Sequence, residues 1–174
     1  DFNSAFDTLR EYFGKSVAPL VVPIWDADKK VTGVVDVLHK RAFEPAGSKR
    51  KEIPIPEDKV AVIDEIYGQL MESVAETSEE FMEKFFGGEE FTYAEIMQGL
   101  RSGVRDCSLV PVVCGSSFTG LGTLMLLDFI VDLLPNPLEG VPASAANKDG
   151  EHEDFIVSQG AVPAAFVFKT MADQ

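Results

Sequence analysis

Gly115 and Gly120 carry the G-x-x-x-x-G spacing of a phosphate-binding loop and sit between two apolar stretches, 109–113 and 121–134. Such a loop holds phosphate and magnesium through a Lys and then a Ser or Thr directly after the second Gly. Those positions are Leu121 and Gly122, so the spacing is present without the chemistry. Asn147-Lys148-Asp149-Gly150 approaches the guanine-reading Asn-Lys-x-Asp pattern, but its fourth residue is Gly and offers no carboxylate. Asn, Asp and Gly tolerate left-handed backbone angles, and the segment reads as a turn. His39 and His152 are far apart and lack ligands at metal spacing, so both read as surface residues and no metal site is expected. Cys107 and Cys114 match no common zinc spacing, and neither has a companion His to make it a nucleophile. No catalytic residues are predicted.

Charge is distributed unevenly. Lys29 to Lys51 carries a local +5, whereas Glu57 to Glu95 holds twelve acids against Lys59 and Lys84, a local −10. On the helix predicted across 57–75, Asp58, Glu65, Glu72 and Glu76 fall on one side, opposite an apolar stripe of Val60, Ile63, Ile66, Tyr67, Leu70 and Val74. An acidic helix face is ordinarily only solvated; a docking surface is the alternative.

The elements that position these groups follow from periodicity and punctuation. Ser4 reads as the cap of an amphipathic helix ending at Gly14. Residues 17–25 and 31–38 are β-branched strands joined by a turn, which makes a hairpin, and Phe43 with 52–56 extends its sheet toward an edge limited by Pro54 and Pro56. Thr77 with Glu80 and Thr92 with Glu95 are capping-box pairs that start two shorter helices. Residues 109–113 read as a buried strand, followed by a tight loop and a helix apolar on nearly every side. Residues 139–154 are small and polar and read as a linker, and 164–168 as a last strand.

With 174 residues, 45% of them hydrophobic, the chain has enough apolar material for one main core. Fifteen basic against 29 acidic residues leave a formal charge of −14, which argues against nucleic acid or an anionic membrane as a partner. No apolar run reaches the length of a membrane span, and two cysteines favour a reduced, cytoplasmic setting. The chain opens Asp1-Phe2-Asn3 without Met, which suggests a segment of something longer.

Several blocks in order, among them Gly33-Val34-Val35-Asp36, Leu70-Met71-Glu72-Ser73-Val74-Ala75-Glu76, Val110-Pro111-Val112-Val113-Cys114-Gly115-Ser116 and Leu133-Leu134-Pro135-Asn136-Pro137, resemble bacterial elongation factor G, a translation GTPase. The resemblance spans essentially the whole chain. It departs at Ser117, where the family usually has Ala, and at Trp25, where Gly is common, which points to a divergent member or an elongation factor G-like paralogue. Ribosome-protection proteins and release factor three are the alternative families.

The resemblance implies an internal fragment of a ribosomal translocase with an α/β fold carrying an α+β insertion. Residues 1–16 and 107–138 would be a remnant of the GTP-binding domain, 17–106 an inserted subdomain of small sheet and helices, and 139–174 a linker with the first strand of a truncated β-barrel domain. The parent would bind GTP or GDP with Mg and hydrolyse GTP. This fragment, which lacks the phosphate-binding loop and switches, would hold no cofactor and be inactive. Gly115, Ser116 and Ser117 would be the guanine-side loop of an incomplete site. Asp58, Glu65, Glu72 and Glu76 would dock the ribosome's large-subunit stalk protein.

Overall fold

β1 (Val17–Trp25) is apolar and β-branched, and all but two of its residues are buried. It pairs antiparallel with β2 (Val31–Asp36), Val21 opposite Asp36 and Ile24 opposite Gly33. The turn between them is built by Asp26, whose carboxylate accepts the N–H groups of Asp28 at 3.0 Å and Lys30 at 2.9 Å. β3 (Arg41–Glu44) and β4 (Lys51–Ile53) continue the sheet antiparallel, with β4 at one edge and Pro54 ending it. At the other edge β5 (Val110–Val113) runs parallel to β1, giving the order β4-β3-β2-β1-β5. The computed structural model describes residues 2–28, 30–46, 49–140, 142–161, 163, 165 and 167–172.

Pro19 and Pro23 lie in an interior strand, where a missing N–H normally breaks a ladder. Here the two halves of β1 lean on different neighbours. Residues 17–21 pair with β5 and 21–25 with β2, each with an irregularity in register. Pro111 sits in β5, an edge strand that tolerates it.

Among the described residues five α-helices accompany the sheet, so the fold is mixed α/β. α1 (Phe2–Phe13) is helical from Phe2, two residues before the expected Ser4 cap, and the Ser4 carbonyl accepts the Thr8 hydroxyl at 2.9 Å from inside the helix. α2 (Glu57–Ala75) has the predicted bounds but a shifted stripe. It buries Ile63, Leu70, Met71, Val74 and Ala75, while Val60 remains 44% exposed. α3 (Glu79–Phe86) is capped by Ser78, whose hydroxyl accepts the Phe81 N–H at 3.1 Å, and not by the Thr77–Glu80 pair. Thr77 is engaged elsewhere, its hydroxyl donating to the Val74 carbonyl at 2.7 Å and closing the end of α2. α4 (Tyr93–Arg105) starts with the expected box: Thr92 N–H donates to the Glu95 carboxylate at 2.7 Å and Glu95 N–H returns to the Thr92 hydroxyl. α5 (Thr123–Leu133) buries only Met125, Phe129 and Leu133, although it is apolar nearly all round.

Residues 1–134 form one compact unit and 135–174 a second. The boundary drawn between 17–106 and 107–138 falls inside one sheet, because β5 is hydrogen-bonded to β1. In the second unit the expected linker contains a hairpin, β6 (Ala143–Ala146) with β7 (His152–Phe155). Its turn is the 147–150 segment: the Asn147 side-chain oxygen accepts the N–H groups of Asp149 and Glu151, both at 3.0 Å, and Gly150 takes a positive φ of 82°. Polar composition concealed this pairing, since the turn chemistry and not an apolar face holds it together. The strand expected over 164–168 includes Ala164 and Phe166, which lie outside the described residues; Ala165, Val167 and Phe168 are in no strand.

α4 approaches α2 and α3 through glycine. A Cβ on Gly99 would lie 2.8 Å from Val74 Cγ1 and 3.2 Å from Phe81 Cε2, whereas one on Gly68 of α2 would meet nothing within 4 Å. Gly99→Ala should therefore destabilise the fold by about 1–3 kcal/mol through overpacking. Gly68→Ala should stabilise it by about 0.5–1 kcal/mol through helix propensity, and urea unfolding of the two variants measures both. Equal effects would overturn the packing assignment.

The Lys84 ammonium, followed by the Thr92 N–H, holds the Glu95 carboxyl down to about 2 from its usual 4.5. A depressed carboxyl stabilises the fold fully above the unfolded value and loses that contribution as pH falls toward the folded one. The acid limb of the stability curve between about pH 4.5 and 2 should then be shallower in Glu95→Gln than in the parent protein. Identical slopes in acid titrations of both would show that the cap carries no pH dependence.

Candidate functional site

The 114–123 loop leaves the carboxyl end of β5 and enters α5. Cys114 N–H donates to the Val21 carbonyl at 3.3 Å, prolonging the contact with β1. The loop then closes on itself, Ser116 N–H donating to the Leu121 carbonyl at 2.9 Å across an isolated antiparallel bridge. Glycine is required on both sides of the closure: a Cβ on Gly115 would lie 2.8 Å from the Leu121 oxygen, and one on Gly122, at φ 77°, 2.6 Å from the Cys114 oxygen. The Gly115 and Gly122 positions therefore serve a close backbone crossing.

Within the loop the Ser116 hydroxyl accepts the Thr119 N–H at 3.3 Å, and Thr119 Oγ1 accepts the Leu121 N–H at 3.4 Å. A serine hydroxyl has one donor hydrogen and two lone pairs, so Ser116 keeps its hydrogen for an outside acceptor. Among the described residues nothing accepts the N–H groups of Ser117 or Phe118. Ser117 is exposed, and Phe118 at the tip is 98% exposed. Gly115, Ser116 and Ser117 are thus brought together as a donor-rich turn at a strand end, a place where open α/β sheets bind ligands.

The four acids on and just after α2 are all exposed, but their surroundings differ. Asp58 is paired with Lys59 at 2.9 Å, and that ammonium lowers its carboxyl below the ordinary range. Glu72 and Glu76 line a cleft of about 360 Å³ with Arg10, Gln69 and Ser73. Arg10 donates to Gln69 Oε1 at 2.7 Å, its guanidinium lies 4.8 Å from the Phe6 ring centroid, and its Nε is buried without an acceptor among the described residues. Glu65 has no ion pair among the described residues. The cleft beside Glu72 and Glu76 includes none of Gly115, Ser116 and Ser117, so the two groups of predicted residues are not brought together there.

Three cations of the basic segment are paired with carboxylates. Lys40 pairs with Asp64 at 2.7 Å, Lys51 with Glu44, and Arg50 with Asp128 of α5 while also donating to the Leu124 carbonyl at 3.2 Å. Arg50 thereby fixes the end of the β3–β4 connection against the start of α5.

His39 is exposed, as expected, and it is also held by specific partners. Its Nδ1 lies 2.7 Å from the buried carboxylate of Asp36, which also accepts the His39 N–H at 3.0 Å, and its Nε2 lies 3.2 Å from the Tyr93 hydroxyl. The signal was present as Asp-x-x-His, a spacing that a tight turn after a strand converts into contact. Among the described residues no group of three or more His, Cys, Asp or Glu could hold a metal ion. No described helix is long and apolar enough to cross a membrane.

No protein-family profile matches the chain. Among solved structures it is similar to a protein from Thermus thermophilus, with a TM-score of 0.73 and 28% identity over 80% of this chain. The match covers 21% of that protein, so the chain spans about a fifth of the structure it resembles.

Burial pushes the Cys114 thiol up to about 12, which keeps it protonated and unreactive beside the loop. Cys107, with its positive φ of 59°, is exposed. Iodoacetamide at pH 8 should alkylate Cys107 at least about tenfold faster than Cys114 in the folded chain, as peptide mass spectrometry would read. Comparable rates would mean that Cys114 is not shielded.

Proposed function

We propose that the chain is part of an elongation factor G-like translation GTPase, working in the cytoplasm on the ribosome. The observation that carries this reading is the placement of Gly115, Ser116 and Ser117. They form a closed turn at the carboxyl end of a parallel strand, with the Ser116 hydroxyl hydrogen and the Ser117 and Phe118 N–H groups left to donate. Those are the donors that a guanine carbonyl oxygen requires. They fit the base of GTP or GDP and nothing beyond it, since the loop offers no Lys for phosphate. Phosphate, Mg and the hydrolysis of GTP therefore belong, in this reading, to other parts of a longer parent.

The uncovered side of α5 supports the same reading. Leu126, Leu127, Ile130 and Val131 are exposed, Val131 to 77%, along a helix that an independent domain would turn inward. In the proposed parent the rest of the GTP-binding domain covers that stripe.

Docking to the large-subunit stalk protein falls to the acidic side of α2. Encounter between a mobile stalk and a cycling factor gains more from electrostatic steering than from tight packing. The double reversal Glu65→Lys with Glu72→Lys should lower the association rate with the stalk protein about tenfold at low salt and much less at high salt. Both positions are exposed, so the melting temperature should stay close to that of the unaltered chain. Stopped-flow association measured across a salt series is the test; an unchanged rate and salt slope would leave the acids as a solvated face.

A further inference from the structure

Two cations in the first unit sit in the same kind of environment. Lys40 Nζ lies 4.5 Å from the Tyr67 ring centroid and 2.7 Å from the Asp64 carboxylate. Lys84 Nζ lies 6.0 Å from the Phe91 centroid and within 2.7 Å and 2.9 Å of the two Glu95 oxygens. Each is an aromatic ring and a carboxylate sharing one ammonium, a combination that gains both from the ring quadrupole and from direct charge pairing.

The same rings, with Phe85, also border an open cleft. Phe85 stacks on Phe91 with centroids 6.4 Å apart and planes 9° from parallel, and both rings line a cleft of about 620 Å³ with Tyr67, Gly68, Glu89 and Glu90. The volume is that of a small-ligand site. Glu89 and Glu90 are exposed, and neither carboxylate has an ion pair among the described residues. Lys40 borders the same cleft but is already neutralised by Asp64, so the excess charge at the mouth is negative. Gly68 keeps the wall open: it is a helix-interior glycine with no positive φ and no neighbour within 4 Å of a Cβ, so packing does not require it.

We propose that this cleft is a binding site for an arginine side chain presented by a partner protein. A guanidinium is planar, stacks on aromatic faces, and offers a fork of donors to a carboxylate, which suits a cleft lined by Phe85, Phe91, Glu89 and Glu90 better than an ammonium would. The net charge of −14 draws such a partner toward the surface. The site is separate from Asp58, Glu65, Glu72 and Glu76, none of which lines it, and from the 115–117 loop, so it does not depend on the proposed GTPase function.

The probe is acetyl-tetra-arginine amide, titrated into the isotope-labelled chain by NMR at physiological salt, with tetra-lysine and tetra-glutamate peptides alongside. Shifts should concentrate on Gly68, Phe85 and Phe91, and tetra-arginine should bind at least about fivefold tighter than tetra-lysine. Gly68→Leu, which fills the cleft with a good helix former, and the exposed pair Glu89→Gln with Glu90→Gln should each weaken binding about tenfold or more. Glu79→Gln with Glu83→Gln, removing two acids from α3 outside the cleft, should change it less than about twofold. Equal loss from both glutamine pairs would reduce the binding to general charge attraction and overturn the site. So would full binding by Gly68→Leu, or tetra-glutamate binding as well as tetra-arginine. Should Gly68→Leu fail to fold, the two glutamine pairs alone decide the question.

Discussion

Val17 lies opposite Val110 in a parallel pair of strands, and parallel neighbours cannot be joined by a tight turn. After β1 the chain runs through β2, β3 and β4 to the far edge of the sheet, leaves it, and returns at β5 on the other side of β1. Everything from β2 to α4 occupies that excursion, so the 17–106 segment is a crossover between two adjacent strands as much as a subdomain. The pairing is anchored by apolar burial: Val17, Ala18, Leu20 and Val21 are all fully enclosed, each large side chain worth about 1.5–3 kcal/mol. It also aims the loop after β5. Cys114 continues the ladder onto Val21, and Gly115 then begins the closed turn that presents Ser116 and Ser117.

Around that frame, charge is compensated locally more than the sequence totals imply. Lys40, Arg50 and Lys51 each find a carboxylate, and Arg50 joins the β3–β4 side of the sheet to α5. Exposed pairs of this kind add little stability. Their consequence is for recognition, because three cations of the basic stretch already have partners and its positive charge is reduced. Asp58 is weakened as a docking group by Lys59, and Glu72 and Glu76 stand near Arg10, so Glu65 presents its charge with the least compensation.

The helices after α2 form a second organising cluster. Phe81, Phe85 and Phe91 meet edge-on and stacked, with Gly99 and Gly103 allowing α4 to come close. A Cβ on Gly103 would lie 2.7 Å from the Leu109 side chain, which ties this aromatic layer to the entry into β5. Packing therefore runs from the aromatic cluster through α4 to the strand that carries the loop. The two candidate sites and the Phe85–Phe91 cleft all hang on one core.

Local signals were enough for the elements themselves. The 57–75 helix, the Thr92–Glu95 capping box and the strand–loop–helix at 110–133 follow from periodicity and capping chemistry, which act over a few residues. The glycines and Ser116 of the loop were legible as a tight turn for the same reason. What depends on distant neighbours was not legible. Val60 is exposed although it lies on the apolar stripe, and Leu126, Leu127, Ile130 and Val131 of α5 are exposed although the helix is apolar nearly all round. Thr77 lost its place as a cap to Ser78 once its hydroxyl turned back onto α2. The joining of β5 to β1, the contact of His39 with Asp36 and Tyr93, and the meeting of Tyr67, Phe85 and Phe91 with Glu89 and Glu90 bring together residues from separate elements. Residue type and spacing set each element by itself; only the packing of sheet against helices could decide which side chains would share a site, because that choice is made by burial across the whole unit.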